Sequence, residues 1–205
     1  MARPKSIENR SELILQAADE LFSRYGFERT SIDDIARHLG ISKGSIYLDF
    51  KSKEDILFTI IERHAQRLHK LMDEKIATST SPALEILRDT VLESSLLVYD
   101  LITRDLHTPE ALLHTSIAWK PRFEHYFVKK RARFLALLQR AADEGDIAPH
   151  MVNEATVVAF MMAISSIHPP YFDNYSEARD RMSRNLLEQR GKALLALLID
   201  GLRRR

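Results

Sequence analysis

Ser31-Ile32-Asp33-Asp34-Ile35-Ala36-Arg37-His38-Leu39-Gly40-Ile41-Ser42-Lys43-Gly44-Ser45-Ile46-Tyr47-Leu48-Asp49-Phe50 is the stretch whose reading decides the fold. Ser31 with an acid three residues later, Asp34, is the pattern of a capping box opening a helix. Behind it Ile32, Ile35, Ala36 and Leu39 recur at helical spacing and form one apolar face. Gly40 ends that helix, because glycine enters the left-handed backbone region that closes a helix at no steric cost. Ser42 then caps a second short helix carrying Lys43, Gly44, Ser45, Ile46, Tyr47 and Leu48. Two short helices joined by a glycine-containing turn of roughly three or four residues make a helix-turn-helix. Its second helix must offer small and polar side chains outward. Lys43, Gly44, Ser45, Leu48 and Asp49 meet that need, while Ile46 and Phe50 face the core.

The flanks extend the same pattern. Leu13, Ile14, Ala17, Ala18, Leu21, Phe22 and Tyr25 form a stripe on a first helix that Gly26 stops. Ser52-Lys53-Glu54-Asp55 repeats the capping signal and opens a long helix to about Ala77, ~36 Å from end to end. Thr78-Ser79-Thr80-Ser81-Pro82 is the clearest boundary in the chain. Further helices are expected over 82–104, 109–117, 121–144, 152–167 and 177–202, punctuated by Pro109, Pro121, Gly145, Pro149 and Pro169-Pro170. The expected fold is all-α, with about nine helices. Residues 1–52 form a helix-turn-helix domain (the motif at about 31–50), 53–77 a linking helix, and 78–205 a second helical domain.

Charge is a local matter. The 205 residues carry a formal net charge of only +1, so the whole-molecule field gives no push towards nucleic acid. Between positions 37 and 53, however, Arg37, Lys43, Lys51 and Lys53 stand against the single acid Asp49. Such a patch suits phosphate. The chain has no cysteine, which removes disulfides, thiol nucleophiles and thiolate metal sites. No apolar run approaches the ~20 residues of a membrane span, and no signal core follows the basic N-terminus, so a cytoplasmic protein is expected. No Ser/His/Asp order, paired-carboxylate pattern, phosphate loop or HExxH suggests an enzyme, and no cofactor is expected. The eight histidines (His38, His64, His69, His107, His114, His125, His150 and His168) show no ligand spacing, so no metal site is expected.

The Thr30-Ser31 entry, the Ile35-Ala36 pair, the Gly40-Ile41-Ser42 turn, then Gly44, Tyr47, Phe50 and the Lys51-Ser52-Lys53 opening of the fourth helix resemble the DNA-binding domain of the TetR family of bacterial regulators. The resemblance covers residues 7–60 or so. It implies a dimer that binds a palindromic double-stranded DNA operator, represses transcription, and is released by a small apolar or amphipathic effector. It places Ser31, Arg37, Ser42, Lys43, Gly44, Ser45, Tyr47, Leu48 and Lys53 at DNA-contacting positions. Tyr47 and Lys53 would hold phosphates, and Lys43 and Ser45 would read base edges. Asp49 departs from the family pattern; it either accepts from a cytosine amino group or points away. Arg3 and Lys5 either enter the minor groove or form a frayed, solvated terminus.

For the second domain the resemblance implies an effector cavity, with Tyr99, Trp119, Phe123, Phe127, Phe160 and Met161 as candidate wall residues. At helical spacing each of these equally suits a core. It also implies a homodimer interface of four helices, assigned to Val157, Phe160, Ile164, Leu187, Gly191, Leu194 and Leu198. The alternative is that both stripes serve the chain's own core. Two other readings stay open: a DNA-binding regulator without an effector, and a helical enzyme or carrier.

Overall fold

The computed structural model describes residues 7–105, 109–167 and 183–204. Helix α1 (Ile7–Tyr25) closes at Gly26, whose φ of 85° is left-handed and whose N–H donates to the Phe22 carbonyl at 2.8 Å. Helices α2 (Ile32–Leu39), α3 (Lys43–Tyr47) and α4 (Lys53–Thr78) start at Ser31, Ser42 and Ser52. Each serine oxygen accepts a backbone N–H from the first turn, a contact worth ~1 kcal/mol per cap. Then follow α5 (Ala83–Asp105), α6 (Pro109–Asp143), a short 3-10 turn (Pro149–Met151), α7 (Glu154–Ser165) and α8 (Arg184–Leu202). Asn153 caps α7 and Ser183 caps α8. Among the described residues this makes eight α-helices, with one isolated antiparallel bridge, Ile147 to Arg203.

The expected ninth helix disappears at Pro121. A stop at 117 and a restart at 121 were expected; instead α6 runs through the proline for 35 residues. A proline inside a helix removes one hydrogen bond and crowds the preceding turn, at ~3 kcal/mol. Packing of α6 against α4, α5 and α7 offsets that local cost. Residues 168–182, which include the start of the last expected helix, lie outside the described residues.

Two apolar cores form. The first gathers Ile14, Leu15, Ala18 and Phe22 of α1, Ile32, Ile35 and Ala36 of α2, Ile46 of α3, and Ile56, Leu57 and Ile60 of α4. The α1 stripe is rotated slightly from expectation: Leu15 is buried, while Leu13 and Tyr25 are exposed. The second core gathers Leu84, Leu87 and Val91 of α5, Phe134, Leu137 and Leu138 of α6, Val157, Phe160 and Ile164 of α7, and Leu187, Leu195 and Ile199 of α8. Burying a side chain of this size contributes ~1.5–3 kcal/mol. Helix α4 belongs to both, since its last turns pack Ile76 on the second core.

Candidate nucleic-acid interface and apolar cavity

The turn between α2 and α3 is built by reciprocal caps. The Ser31 N–H donates to Asp34 Oδ2 at 3.0 Å, and the Asp34 N–H donates to Ser31 Oγ at 3.2 Å. Gly40 sits at φ 64°, and the Ile41 N–H donates back to the Ala36 carbonyl at 3.0 Å. Ser42 Oγ accepts the Ser45 N–H at 3.1 Å and lies 2.8 Å from Ser45 Oγ. Fully buried Ile46 anchors α3 from beneath, with Phe50 just beyond it. This geometry leaves Ser31, Arg37, Ser42, Lys43, Gly44, Tyr47 and Leu48 exposed along one side of the head. Leu48 is 74% and Tyr47 49% exposed, large for an apolar and an aromatic side chain with no partner on this chain's surface to explain them.

Two residues expected at the DNA have partners within the head. Ser45 is half-buried, and both its N–H and its hydroxyl are engaged by Ser42. Lys53 is half-buried as well: its ammonium donates to the Phe27 carbonyl at 2.7 Å and lies 4.1 Å from the centre of the Phe27 ring. The lysine expected at a phosphate therefore fastens the start of α4 to the α1–α2 connection. Its neighbour Lys51 is exposed, and among the described residues no carboxylate pairs with its ammonium.

Asp49 takes the second of its two expected courses and points away. Arg10 of α1 grips it with both arms of its fork, Nε to Oδ2 at 2.6 Å and Nη2 to Oδ1 at 2.9 Å. The Asp49 side chain is only 6% exposed, and the Arg10 hydrogen bonds hold its carboxyl below the usual carboxylate range. An acid in a cationic patch demands a partner, but nothing in the local pattern identifies one 39 residues upstream. The outward cations are paired more loosely. Lys43 meets Asp33 at 2.8 Å and Arg37 meets Asp34 at 3.0 Å, all four well exposed. Such surface pairs are worth ~0–1 kcal/mol and give way readily to a phosphate.

The other end of α4 faces a cavity of about 530 Å³ enclosed by α4, α5 and α6. Its wall is mostly apolar, including Leu68, Met72, Val91, Val98, Phe127 and Leu137. Of the expected wall residues whose side chains are described, only Phe127 lines it. Tyr99 and Met161 pack on the second core, and Phe160 is buried edge-on against Phe134 at 5.7 Å. Trp119 and Phe123 lie outside the residues whose side chains are described. The polar groups on the wall were missed altogether. Arg133 of α6 reaches α4, where its Nη2 donates to Asp73 Oδ2 at 2.7 Å and its Nη1 lies 2.7 Å from His69 Nδ1. Burial first, and then the Arg133 charge, push the His69 imidazole down to about 4, so it stands neutral and accepts from Arg133. Among the described residues no cluster of three or more His, Cys, Asp or Glu forms. His38 and His64 face Glu20 and Asp19 instead, at 3.6 and 3.7 Å.

The residues expected between two subunits are largely interior. Val157, Phe160, Ile164, Leu187 and Gly191 are buried in this chain's own second core, and Leu194 and Leu198 are half-buried against it. Gly191 permits a close approach, but the neighbour is Leu92 of α5. A Cβ on Gly191 would meet Leu92 Cδ1 at 2.9 Å and Ile167 Cδ1 at 3.6 Å. The apolar residues left outward on α7 and α8 are Val158, Met162 and Leu197, the last two 71% and 75% exposed. No described helix is long and apolar enough to cross a membrane.

Comparison with known proteins places this head and this fold together. Residues 14–60 match the family model described as bacterial regulatory proteins, tetR family. Over 161 residues the chain is 29% identical to the uncharacterized HTH-type transcriptional regulator YfiR of Bacillus subtilis (strain 168), with 76% of each chain covered. A transcriptional regulator of the TetR/AcrR family from Thermobifida fusca YX-ER1 superposes with a TM-score of 0.68 at 25% identity, over 96% of this chain and 100% of that one. SmeT, the repressor of the Stenotrophomonas maltophilia multidrug efflux pump SmeDEF, shares the fold at 17% identity with a TM-score of 0.66, over 95% of this chain and 90% of that one. The capped head and the common helical frame agree: residues 14–60 of this chain form a head of the tetR family of bacterial regulatory proteins, carried on a helical frame like that of TetR/AcrR regulators.

Proposed function

We propose that this regulator is a repressor that binds a palindromic operator as a homodimer and leaves it when a small molecule enters the cavity. The observation that carries the proposal is the position of α4, which begins under the exposed α2–α3 face and ends as a wall of the cavity. Residues 1–52 form the reading head, 53–77 the link and 78–205 the sensing and pairing body. Lys43, Gly44, Tyr47 and Leu48 enter the major groove, with Ser31, Arg37 and Ser42 at its edges. Lys51, rather than Lys53, supplies the free cation next to them. The outward faces of α7 and α8, with Val158, Met162 and Leu197, meet their two-fold copies. This sets the two heads ~34–36 Å apart, one turn of DNA. A repressor with this fold, SmeT, gives a precedent for the sign of regulation.

Selection of bound duplexes from a random pool, followed by gel shift, tests the proposal. A two-fold symmetric consensus is expected, bound by one dimer. No shift at low salt, with folded dimer present, overturns it.

A further inference from the structure

Among the described residues the cavity wall carries cations and no acid. Among the residues lining it are His64, Arg67, His69, Lys130 and Arg133, and not one aspartate or glutamate. Arg133 is satisfied by Asp73 and His69, and His64 faces Asp19. Lys130 is different. Its side chain is half-buried on the cavity wall close to Arg133 and His69, and among the described residues no carboxylate or carbonyl accepts from its ammonium. Its nearest attractive neighbour is the Phe134 ring, 5.8 Å from the ammonium, at the outer limit of a cation–π contact. On α5 the Thr90 hydroxyl, in a residue only 6% exposed, lacks a partner. An ammonium facing an apolar cavity without an acceptor from the protein is a ready donor to a bound anion.

We propose that the cavity receives an amphiphile with a carboxylate head, seated on the Lys130 ammonium, and a single apolar tail lying along Leu68, Met72, Val98 and Leu137. This deepens the preceding proposal and rests on its assignment of the cavity as the effector site. The chemistry is selective. A cationic ligand would meet like charge at Lys130 and Arg133 with no acid to receive it, so a quaternary ammonium is disfavoured. A neutral ligand of the same shape would fill the apolar wall and leave Lys130 unpaired. Burial and the neighbouring Arg133 already push the Lys130 ammonium down to about 8, so in the empty cavity it holds its proton less tightly than a free lysine. A carboxylate at hydrogen-bond distance reverses that shift.

Three ligands with one tail and different heads separate these cases: decanoate, decanol and decyltrimethylammonium, titrated calorimetrically into the full-length protein and into Lys130→Met. Decanoate is expected to bind wild type about tenfold or more tighter than decanol, the usual margin for a hydrogen bond to a charged group. The ammonium should bind weakest. In Lys130→Met decanoate falls to the level of decanol, while decanol changes less than about twofold, since Met keeps the apolar stem. Equal binding of decanoate and decanol to wild type overturns the proposal, as does tighter binding of the ammonium, or no binding of any of the three. Undiminished decanoate binding by a folded Lys130→Met overturns it too. If that variant does not fold, the wild-type series of three heads decides alone. Because binding is read without DNA, a protein that shifts its operator but ignores decanoate fails here only, and one that binds decanoate but no DNA fails only in the preceding proposal.

Discussion

Asp49 shows how one side chain can sit in a cationic patch without opposing it. Gripped by Arg10 and nearly closed to solvent, it spends its charge inside the head and joins α1 to the end of α3. Its carboxyl titrates below the usual range, so the stabilisation it brings is fully present above the unfolded value of ~3.9 and is lost as pH falls through the lower folded value. Thermal melts of wild type and Asp49→Asn should therefore differ by a few degrees at neutral pH and converge below about pH 4, at ~2–4 °C per kcal/mol for a chain of this size. Curves that stay parallel down to low pH would refute an ionised Asp49. The three lysines of the head divide in the same concrete way. Lys51→Ala should weaken binding to every duplex alike and lower the salt slope by about one, whereas Lys43→Ala should relax preference at one operator position. Lys53→Ala, which cuts the tie to Phe27, should instead lower the melting temperature of the free protein. Sequence pattern alone singled out Asp49 and both lysines, but not their partners. Arg10 and the Phe27 carbonyl come from distant turns, and only the packed fold selects them.

At the level of helices, whatever is decided within a few residues was legible. Ser31, Ser42 and Ser52 cap, and Gly26 and Gly40 stop, because those hydrogen bonds close inside a single turn. What depends on neighbours was misplaced. Pro121 reads as a break, yet α6 continues through it, with α4, α5 and α7 packed along the helix. The stripes of α7 and α8 suit a subunit interface and a private core equally well, and the core takes most of them. Gly191 tests that outcome. Gly191→Ala should change the melting temperature little, since ~1 kcal/mol of helix propensity offsets a contact that the flexible tip of Leu92 can yield. Gly191→Leu should lower it sharply while leaving the dimer associated. Dissociation of that variant, seen by light scattering without loss of melting temperature, would return Gly191 to the subunit interface. Lys130 was visible in principle: it interrupts the apolar spacing of Tyr126, Phe127, Phe134 and Leu137 on one helix face. A charge in such a stripe either snorkels out or stays to bind something, and the alternative depends on how deep the neighbouring helices lie.

For the molecule as a whole, pairing in the proposed homodimer would convert two modest heads into one selective reader. Met162 and Leu197 project from neighbouring helices, and an apolar face of that kind stays dry only when another covers it. Leu197→Glu should give a monomer in light scattering and a melting temperature no longer dependent on protein concentration, with operator affinity falling far more than affinity for a single half-site. A dimeric Leu197→Glu variant would move the interface elsewhere. The two cores are joined by α4 and by the packing of α1 on α5, and in the proposed regulator what the body senses reaches the head through these two contacts. The 26 residues of α4 span ~39 Å, and a swing of about 5° about its Thr78 end carries Lys53 ~3 Å, the height of one base step. The same swing moves His69, at the cavity, by only ~1 Å. Swinging as one rigid rod about Thr78, α4 of the proposed regulator would enlarge a displacement at the cavity about threefold at the head. Ligands that differ by a single methylene can then occupy the cavity with similar affinity and still set the two heads at different spans.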